Sequence, residues 1–268
     1  MFHGVTVALV TPLTGAGEVG RRDVARLVAS VRPHVDALLP ALSTGEGWAL
    51  SDRQWHDMVE ATVGCADGLP VLAGIEVATT HGTVRRARAA ARLGARAVAA
   101  TTPYGADVSQ DEMYRHYARI ADASGLPVVV YHESEISRNT IAFDTLLRIC
   151  RLPSVVAVKD SAGDPLATRR LIAARPGVGV LQGLEHLVTS TPGVDGYVMA
   201  LANLEPGLCA AMYRAPCAER AAELAAACAR HGLDRPDWYR AVKSELRRRS
   251  ILTSDATVDP GCPEGTPV

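Results

Sequence analysis

Eight short apolar runs punctuate the chain, at residues 5–10, 37–42, 70–73, 97–100, 128–131, 155–159, 178–182 and 196–199. Most are nearly continuous rather than alternating, the mark of strands covered on both faces, as in parallel sheets. Amphipathic helical patterns lie between them. Val24, Leu27, Val28 and Val31 follow the i, i+3, i+4, i+7 rule, and Met113, Tyr117 and Ile120 do so with one gap. Ser51 to Gln54 and Ser109 to Glu112 read as capping boxes that start two helices. Strand starts repeat a theme: GLPVLAG, GLPVVVYH and LPSVVAVKD. Eight strands with helices between most of them predict an α/β fold, a (β/α)8 TIM barrel of about 250 residues. A doubly wound sheet would need fewer strands or a second domain. The barrel is expected over 1–206. Ala-rich helices packed on it, with a break at 232–236, are expected over 207–250. The tail, 251–268, ends in a Pro- and Gly-rich stretch and is expected to be partly disordered.

Composition narrows the function classes. With 48% hydrophobic residues in 268, the chain is no disordered segment, and a net charge of -1 argues against a nucleic-acid or anionic-membrane surface. No run of about 18 uncharged apolar residues suggests a membrane span. The start, MFHGVTVALVTP, lacks a basic n-region and a small-residue cleavage site, so a cytoplasmic location is expected. The six cysteines (Cys65, Cys150, Cys209, Cys217, Cys228 and Cys262) form no C-x-x-C and are expected as buried, reduced thiols.

Gly15-Ala-Gly17-Glu-Val-Gly20 spells G-x-G-x-x-G, but that fingerprint needs its first glycine at the end of a strand. Here Thr11 to Thr14 intervene and no acidic residue closes the second strand, so a flexible turn is expected instead. The basic residues say more. Of 28 Lys and Arg, only Lys159 and Lys243 are lysine. Lys159 closes the run 155–159 and precedes Asp160-Ser-Ala-Gly-Asp164. Barrels carry their active sites at the C-terminal strand ends. A partly desolvated amine there is a usable nucleophile, which a guanidinium is not. Lys243, in the polar helix 240–249, reads as an ordinary solvated lysine. Ser43-Thr44-Gly45-Glu46 offers hydroxyls and N–H groups suited to a carboxylate, and Tyr131 ends the fifth strand.

Together these pieces resemble the dihydrodipicolinate synthase / N-acetylneuraminate lyase family of Schiff-base-forming barrels. The matching residues are Ala8 to Pro12, Ser43 to Glu46, Pro70 to Gly74, Thr102-Pro-Tyr104, Tyr131, Val158 to Asp164, Gly183 and Ala202-Asn203. The resemblance implies a barrel with C-terminal helices, a homotetramer or dimer, no cofactor, and pyruvate or another 2-keto acid as substrate. It implies Lys159 as the Schiff-base lysine and Tyr131 as the proton-relaying phenol. Ser43 and Thr44 would bind the keto-acid carboxylate, with Thr44 also holding Tyr131, and Gly183 and Val198 would line the pocket. The expected chemistry makes or cleaves a C–C bond beside the imine.

Several positions depart from the synthases of that family. Gly105 stands where a second relay tyrosine would, and His132-Glu133-Ser134 replaces Asn-x-Pro. Leu42 replaces a glycine, and Arg138 lies two positions beyond the expected substrate-binding arginine. These departures point away from the lysine-pathway synthase itself and bring in dehydration of a 2-keto-3-deoxy sugar acid as an alternative. His132 and Glu133 are candidate additional acid/base groups. Arg138 either anchors a second carboxylate or pairs with Glu133 or Glu135. Two rival classes remain: a metal-dependent barrel enzyme using Glu76, His132, Glu133, Glu185 and His186, and an inactive keto-acid-binding protein.

Overall fold

A computed structural model describes residues 3–258. Its strands are β1 (Gly4–Ala8), β2 (Ala37–Leu39), β3 (Leu72–Ile75), β4 (Ala97–Ala100), β5 (Val128–His132), β6 (Val155–Asp160), β7 (Gly179–Gln182) and β8 (Gly196–Met199). They lie in the order β2-β1-β8-β7-β6-β5-β4-β3, every pair parallel. A bridge between Leu38 and Val71 draws β2 and β3 together, with Leu38 N donating to Pro70 O at 3.0 Å and Gly74 N to Pro40 O at 2.9 Å. The result is the expected eight-stranded barrel. Some strands are shorter than expected, for local reasons. Val10 N donates to the Asn203 side chain instead of a neighbouring strand, which ends β1. Pro40 and Pro70 carry no N–H, which ends β2 early and starts β3 late.

The near-continuous apolar runs are explained by two cores. Side chains alternate along each strand. Ala8, Leu39, Leu72, Ala97, Ala99, Val129, Ala157, Leu181 and Val198 fill the barrel interior. Val5, Val7, Val98, Val128, Val130, Val158 and Val180 face outward into a larger cluster with the helices. The inner face is rich in alanine, which leaves room at the mouth for larger side chains.

The helices are α1 (Arg21–Val31), α2 (Asp52–Cys65), α3 (Thr80–Leu93), α4 (Gln110–Ser124), α5 (Phe143–Cys150), α6 (Pro165–Ala173), α7 (Pro206–Arg214), α8 (Ala218–Arg230) and α9 (Trp238–Arg248). Both capping boxes form, at Ser51/Gln54 and Ser109/Glu112. α7, expected in the C-terminal extension, packs on β1 and β8 and serves as a barrel helix. Between β7 and β8 only a 3-10 turn, Glu185–Leu187, takes a helix's place, and α8 covers it. The glycine-rich segment is a turn: Leu13 bridges Val19, and Gly17 N donates to Thr14 O at 2.9 Å. No helix among the described residues is long and apolar enough to cross a membrane. The described cysteines are all free. Cys150 and Cys209 are buried, but Cys217 is exposed, against the expectation of uniform burial. Cys262 lies outside the described residues.

Lys243 is the clearest correction. It is not solvated: its side chain and that of Glu46 are both 0% exposed and form an ion pair. Nζ also donates to Ala256 O at 2.8 Å. Burial pushes the Lys243 amine down from its usual range, and Glu46 pulls it back. The other Glu46 oxygen accepts from Val258 N at 2.6 Å. Residues 251–258 are therefore packed rather than loose, with Leu252 buried and Thr253 N donating to Asp23 at 2.7 Å. The rest of the expected tail, 259–268, lies outside the described residues. Removing one partner of a buried pair strands the other charge. Lys243→Ala should therefore cost about 3–5 kcal/mol in urea unfolding. The double replacement Glu46→Gln with Lys243→Met should recover most of that loss.

Candidate active site

Strand parity builds the site. Val129 and Ala157 point inward, so Tyr131 and Lys159, two residues further along each strand, do too. The β5–β6 register sets Tyr131 beside Lys159. Lys159 is 5% exposed. Its Nζ lies 3.5 Å from the centroid of the Tyr131 ring and donates to Ser161 Oγ at 3.2 Å. Burial lowers the amine's pKa to about 8, with Glu76, Glu133, Glu185 and Asp160 pulling it back up. Gly183 makes the close approach possible. A Cβ there would lie 2.2 Å from Ser161 Oγ and 3.0 Å from Lys159 Cε.

The Tyr131 hydroxyl is 3.0 Å from Ser43 Oγ. Burial, followed by the Glu76 and Glu133 charges, holds the phenol well above its usual range, so it keeps its proton. The residue beside Tyr131 is thus Ser43, not the expected Thr44. Both are buried on the 3-10 turn Ser43–Gly45 after β2, where only one of two successive hydroxyls can face the phenol. The turn is anchored by Thr11 Oγ1 donating to Gly45 O at 2.6 Å, and Glu46 leaves it at φ 58°.

Glu76, one residue past β3, is 1% exposed and accepts a hydrogen bond from Ser43 Oγ. Its other oxygen, Oε2, is buried without a hydrogen-bond partner. Burial above all, with Glu133 adding repulsion, raises its pKa to about 8, while Ser43 and Lys159 act the other way. Sequence reasoning had counted Glu76 only as a metal ligand. An acidic residue directly after an apolar strand was the signal available. Ser161 was likewise legible only as part of the string after Lys159.

At Gly105 (φ 122°) an added Cβ would meet only Val108, at 3.9 Å. Asn139 ties this loop to the one after β5. It accepts from Thr102 Oγ1 at 2.6 Å and donates to Pro103 O at 2.7 Å and Gly105 O at 3.1 Å. The Tyr104 hydroxyl is buried and unpartnered, and burial raises its pKa. Val198 lies in the inner cluster, 2% exposed.

Other expected residues are not brought together. His132, one step from Tyr131, faces outward, and its Nδ1 pairs with Asp160 Oδ1 at 3.1 Å. Asp160 also accepts from Thr168 Oγ1 at 2.7 Å. Strand parity therefore removes His132 as an acid/base group of this pocket. Glu133 accepts from Ile136 N at 2.8 Å and Ser137 N at 3.2 Å, closing its own loop. Glu185 accepts from Ala200 N at 2.7 Å and Leu201 N at 3.0 Å, and His186 is exposed. These side chains form no common ligand set with Glu76. Among the described residues the one His/Asp/Glu cluster with ligand spacing is His56, Asp57 and Glu60, on α2. Arg138 is exposed at φ 58° and pairs with neither Glu133 nor Glu135 among the described residues.

Fold and site together define a parallel barrel with a desolvated lysine at the C-terminal ends of its strands. The family described as "Dihydrodipicolinate synthetase family" matches residues 1–241. A 4-hydroxy-tetrahydrodipicolinate synthase of Thermomicrobium roseum is 36% identical over 221 residues, 80% of this chain and 72% of the relative. One of Sphingopyxis alaskensis is 36% identical over 247 residues, 90% of this chain and 79% of the relative. Among solved structures, dihydrodipicolinate synthase of Acinetobacter baumannii complexed with pyruvate has a TM-score of 0.89 at 25% identity, covering 99% of this chain and 94% of that one. The synthase of Bacteroides thetaiotaomicron has a TM-score of 0.88 at 26% identity, covering 97% and 93%. The chain belongs to the dihydrodipicolinate synthetase family.

The crowding at Gly183 makes a direct test of the site's geometry. Gly183→Ala must displace Ser161 or the lysine stem, and a misplacement of about 1 Å costs on the order of 100-fold in rate. Turnover should fall by about that factor, while the thermal unfolding midpoint stays close to the parent's.

Proposed function

We propose that the chain is a class I lyase whose Lys159 amine forms an imine with pyruvate or another 2-keto acid, and which makes or breaks a C–C bond beside that imine. The observation that carries this reading is the buried amine of Lys159, its pKa lowered to about 8 against the ring of a phenol that keeps its proton. The family, and a relative's structure named as a pyruvate complex, support the choice of substrate.

The unprotonated amine adds to the keto carbon, giving a carbinolamine. Its oxygen takes a proton and leaves as water, and the iminium then draws electrons from the adjoining carbon. Tyr131 is the group placed to donate that proton. With the Ser43 hydroxyl engaged by Tyr131 and Glu76, the substrate carboxylate falls to Thr44 and to the N–H groups that open its turn. Gly183 and Val198 line the keto-acid head, and Arg138 at the rim takes a second carboxylate. The reading includes a cytoplasmic homotetramer or dimer, supported by the resemblance alone.

The relatives' shared name favours condensation by a synthase and does not support the expectation that this chain is some other enzyme. Dehydration of a 2-keto-3-deoxy sugar acid is the second reading. One observation favours it: Gly105, where a Cβ would meet only Val108, carries no side chain to compete with a longer polyhydroxy chain.

Borohydride reduction in the presence of pyruvate and of longer 2-keto acids tests the proposal. The expected result is a reduced adduct by intact mass, mapped to Lys159 and absent in Lys159→Arg. Tyr131→Phe should slow trapping by about 100-fold or more. An adduct at Lys243, or none with any keto acid, overturns the reading.

A further inference from the structure

Among the buried titratable groups at the mouth of the barrel that the imine chemistry has not used, Glu76 is the one bonded into the Ser43–Tyr131 pair. Glu76 lies among Ser43, Gly47, Tyr131 and Lys159, with the Trp48 N–H close to its carboxyl, and its Oε2 has no well-aligned hydrogen-bond partner. A buried carboxylate oxygen without a partner is costly, and carrying a proton removes the buried charge. Its other oxygen is bonded to Ser43, and Ser43 is bonded to Tyr131. A serine hydroxyl has one proton to give. While Ser43 donates to Glu76 it must accept from Tyr131, so the three groups form a single directed chain.

We propose that Tyr131, Ser43 and Glu76 form a proton relay in which Glu76 is the terminal store, giving up one proton when the imine forms and recovering it when the imine is hydrolysed. The relay rests on the Lys159 imine read above and adds to it the source of the proton. The step balances. Neutral amine, neutral carboxyl and ketone become iminium, carboxylate and water. The proton leaves Glu76 for Ser43, Ser43's own proton passes to Tyr131, and the phenol's passes to the departing oxygen. The Glu76 carboxylate left behind faces the new cation. Delivery runs opposite to the resting chain: the carboxyl turns about its Cγ–Cδ bond to bring its protonated oxygen to Ser43, and the two hydroxyls rotate about their C–O bonds to point from Ser43 to Tyr131 and from Tyr131 to the substrate. Glu76 thus acts through Tyr131, as a relay and positioning residue. Gly105 leaves this chain with no phenol at that position, and the carboxyl enters the relay from the end of β3 instead.

The groups facing Glu76 are Lys159 from β6, Glu133 and Tyr131 from β5 and the loop that follows it, and Tyr104 from the loop after β4; Glu185 faces Lys159. Because the productive state needs Lys159 without its proton and Glu76 with one, the rate of imine formation should rise and then fall with pH. Both limbs belong to the coupled pair, and the maximum should lie near pH 8.

The experiment is rapid-quench borohydride trapping with pyruvate across pH, on the wild type, Glu76→Gln and Glu76→Asp. Glu76→Gln should trap on the order of 100-fold more slowly and lose the alkaline limb. Its acid limb should stay close to the wild type's, because Glu76 carries its proton, and is as uncharged as glutamine, on that side of the profile. Glu76→Asp should keep both limbs. Infrared difference spectra of the wild type provide a readout that needs no variant: adding pyruvate should bleach a protonated-carboxyl C=O band. Glu76→Gln trapping at the wild-type rate with both limbs intact, or a wild type showing no carboxyl bleach, overturns the relay. Wild type that fails to trap at Lys159 overturns the imine reading itself, a separately visible result.

Discussion

Desolvation of a single primary amine governs everything at the barrel's mouth. Water stabilises an ammonium far better than a protein interior does, so burying Lys159 favours the unprotonated form. The carboxylates of Glu76, Glu133, Glu185 and Asp160 oppose that shift. One charge at 4 Å in a medium of effective dielectric near 20 is worth about 4 kcal/mol, or roughly three pKa units. A close ionised neighbour would therefore be enough to restore a permanently charged lysine. The structure avoids this by spending those carboxylates elsewhere. Asp160 faces outward to His132, Glu133 closes its own loop, and Glu185 caps the turn after β8. Glu76 and Glu185 are themselves held toward neutrality by burial.

The two-residue period of a strand explains why much of this was readable in advance and why some was not. Continuous apolar runs revealed strands covered on both faces, and the ends of two of them put Tyr131 and Lys159 at one level of the barrel. The same parity assigns His132 to the outer layer with Asp160, so residue type at a strand end is less informative than its odd or even position. Ser43 and Thr44 sit on a 3-10 turn, where no two-residue rule decides which hydroxyl faces inward. Glu76 looked like one ligand among five because a list of strand-end acids has no geometry.

Lys243 was misread for a different reason. Arg240, Ser244, Arg247 and Arg248 surround it in sequence, and a helix with such a face is ordinarily solvated. Its partner, Glu46, is 197 positions away, and no local pattern announces it. Residues 251–258, just beyond α9, are packed as well. Their packing depends on the same Glu46 and on Asp23, both remote in sequence.

That remote clasp bears on how the protein comes into being. The turn carrying Ser43 emerges from the ribosome early, yet the contacts that clasp its last residue, Glu46, come from Lys243 and Val258, some 200 positions later. During synthesis the first strands can pair and Thr11 can hold Gly45, but the contacts that Lys243 and Val258 make to Glu46 form only when those residues arrive. A nascent chain with most of its barrel complete therefore holds its lysine in place well before the neighbouring turn is locked.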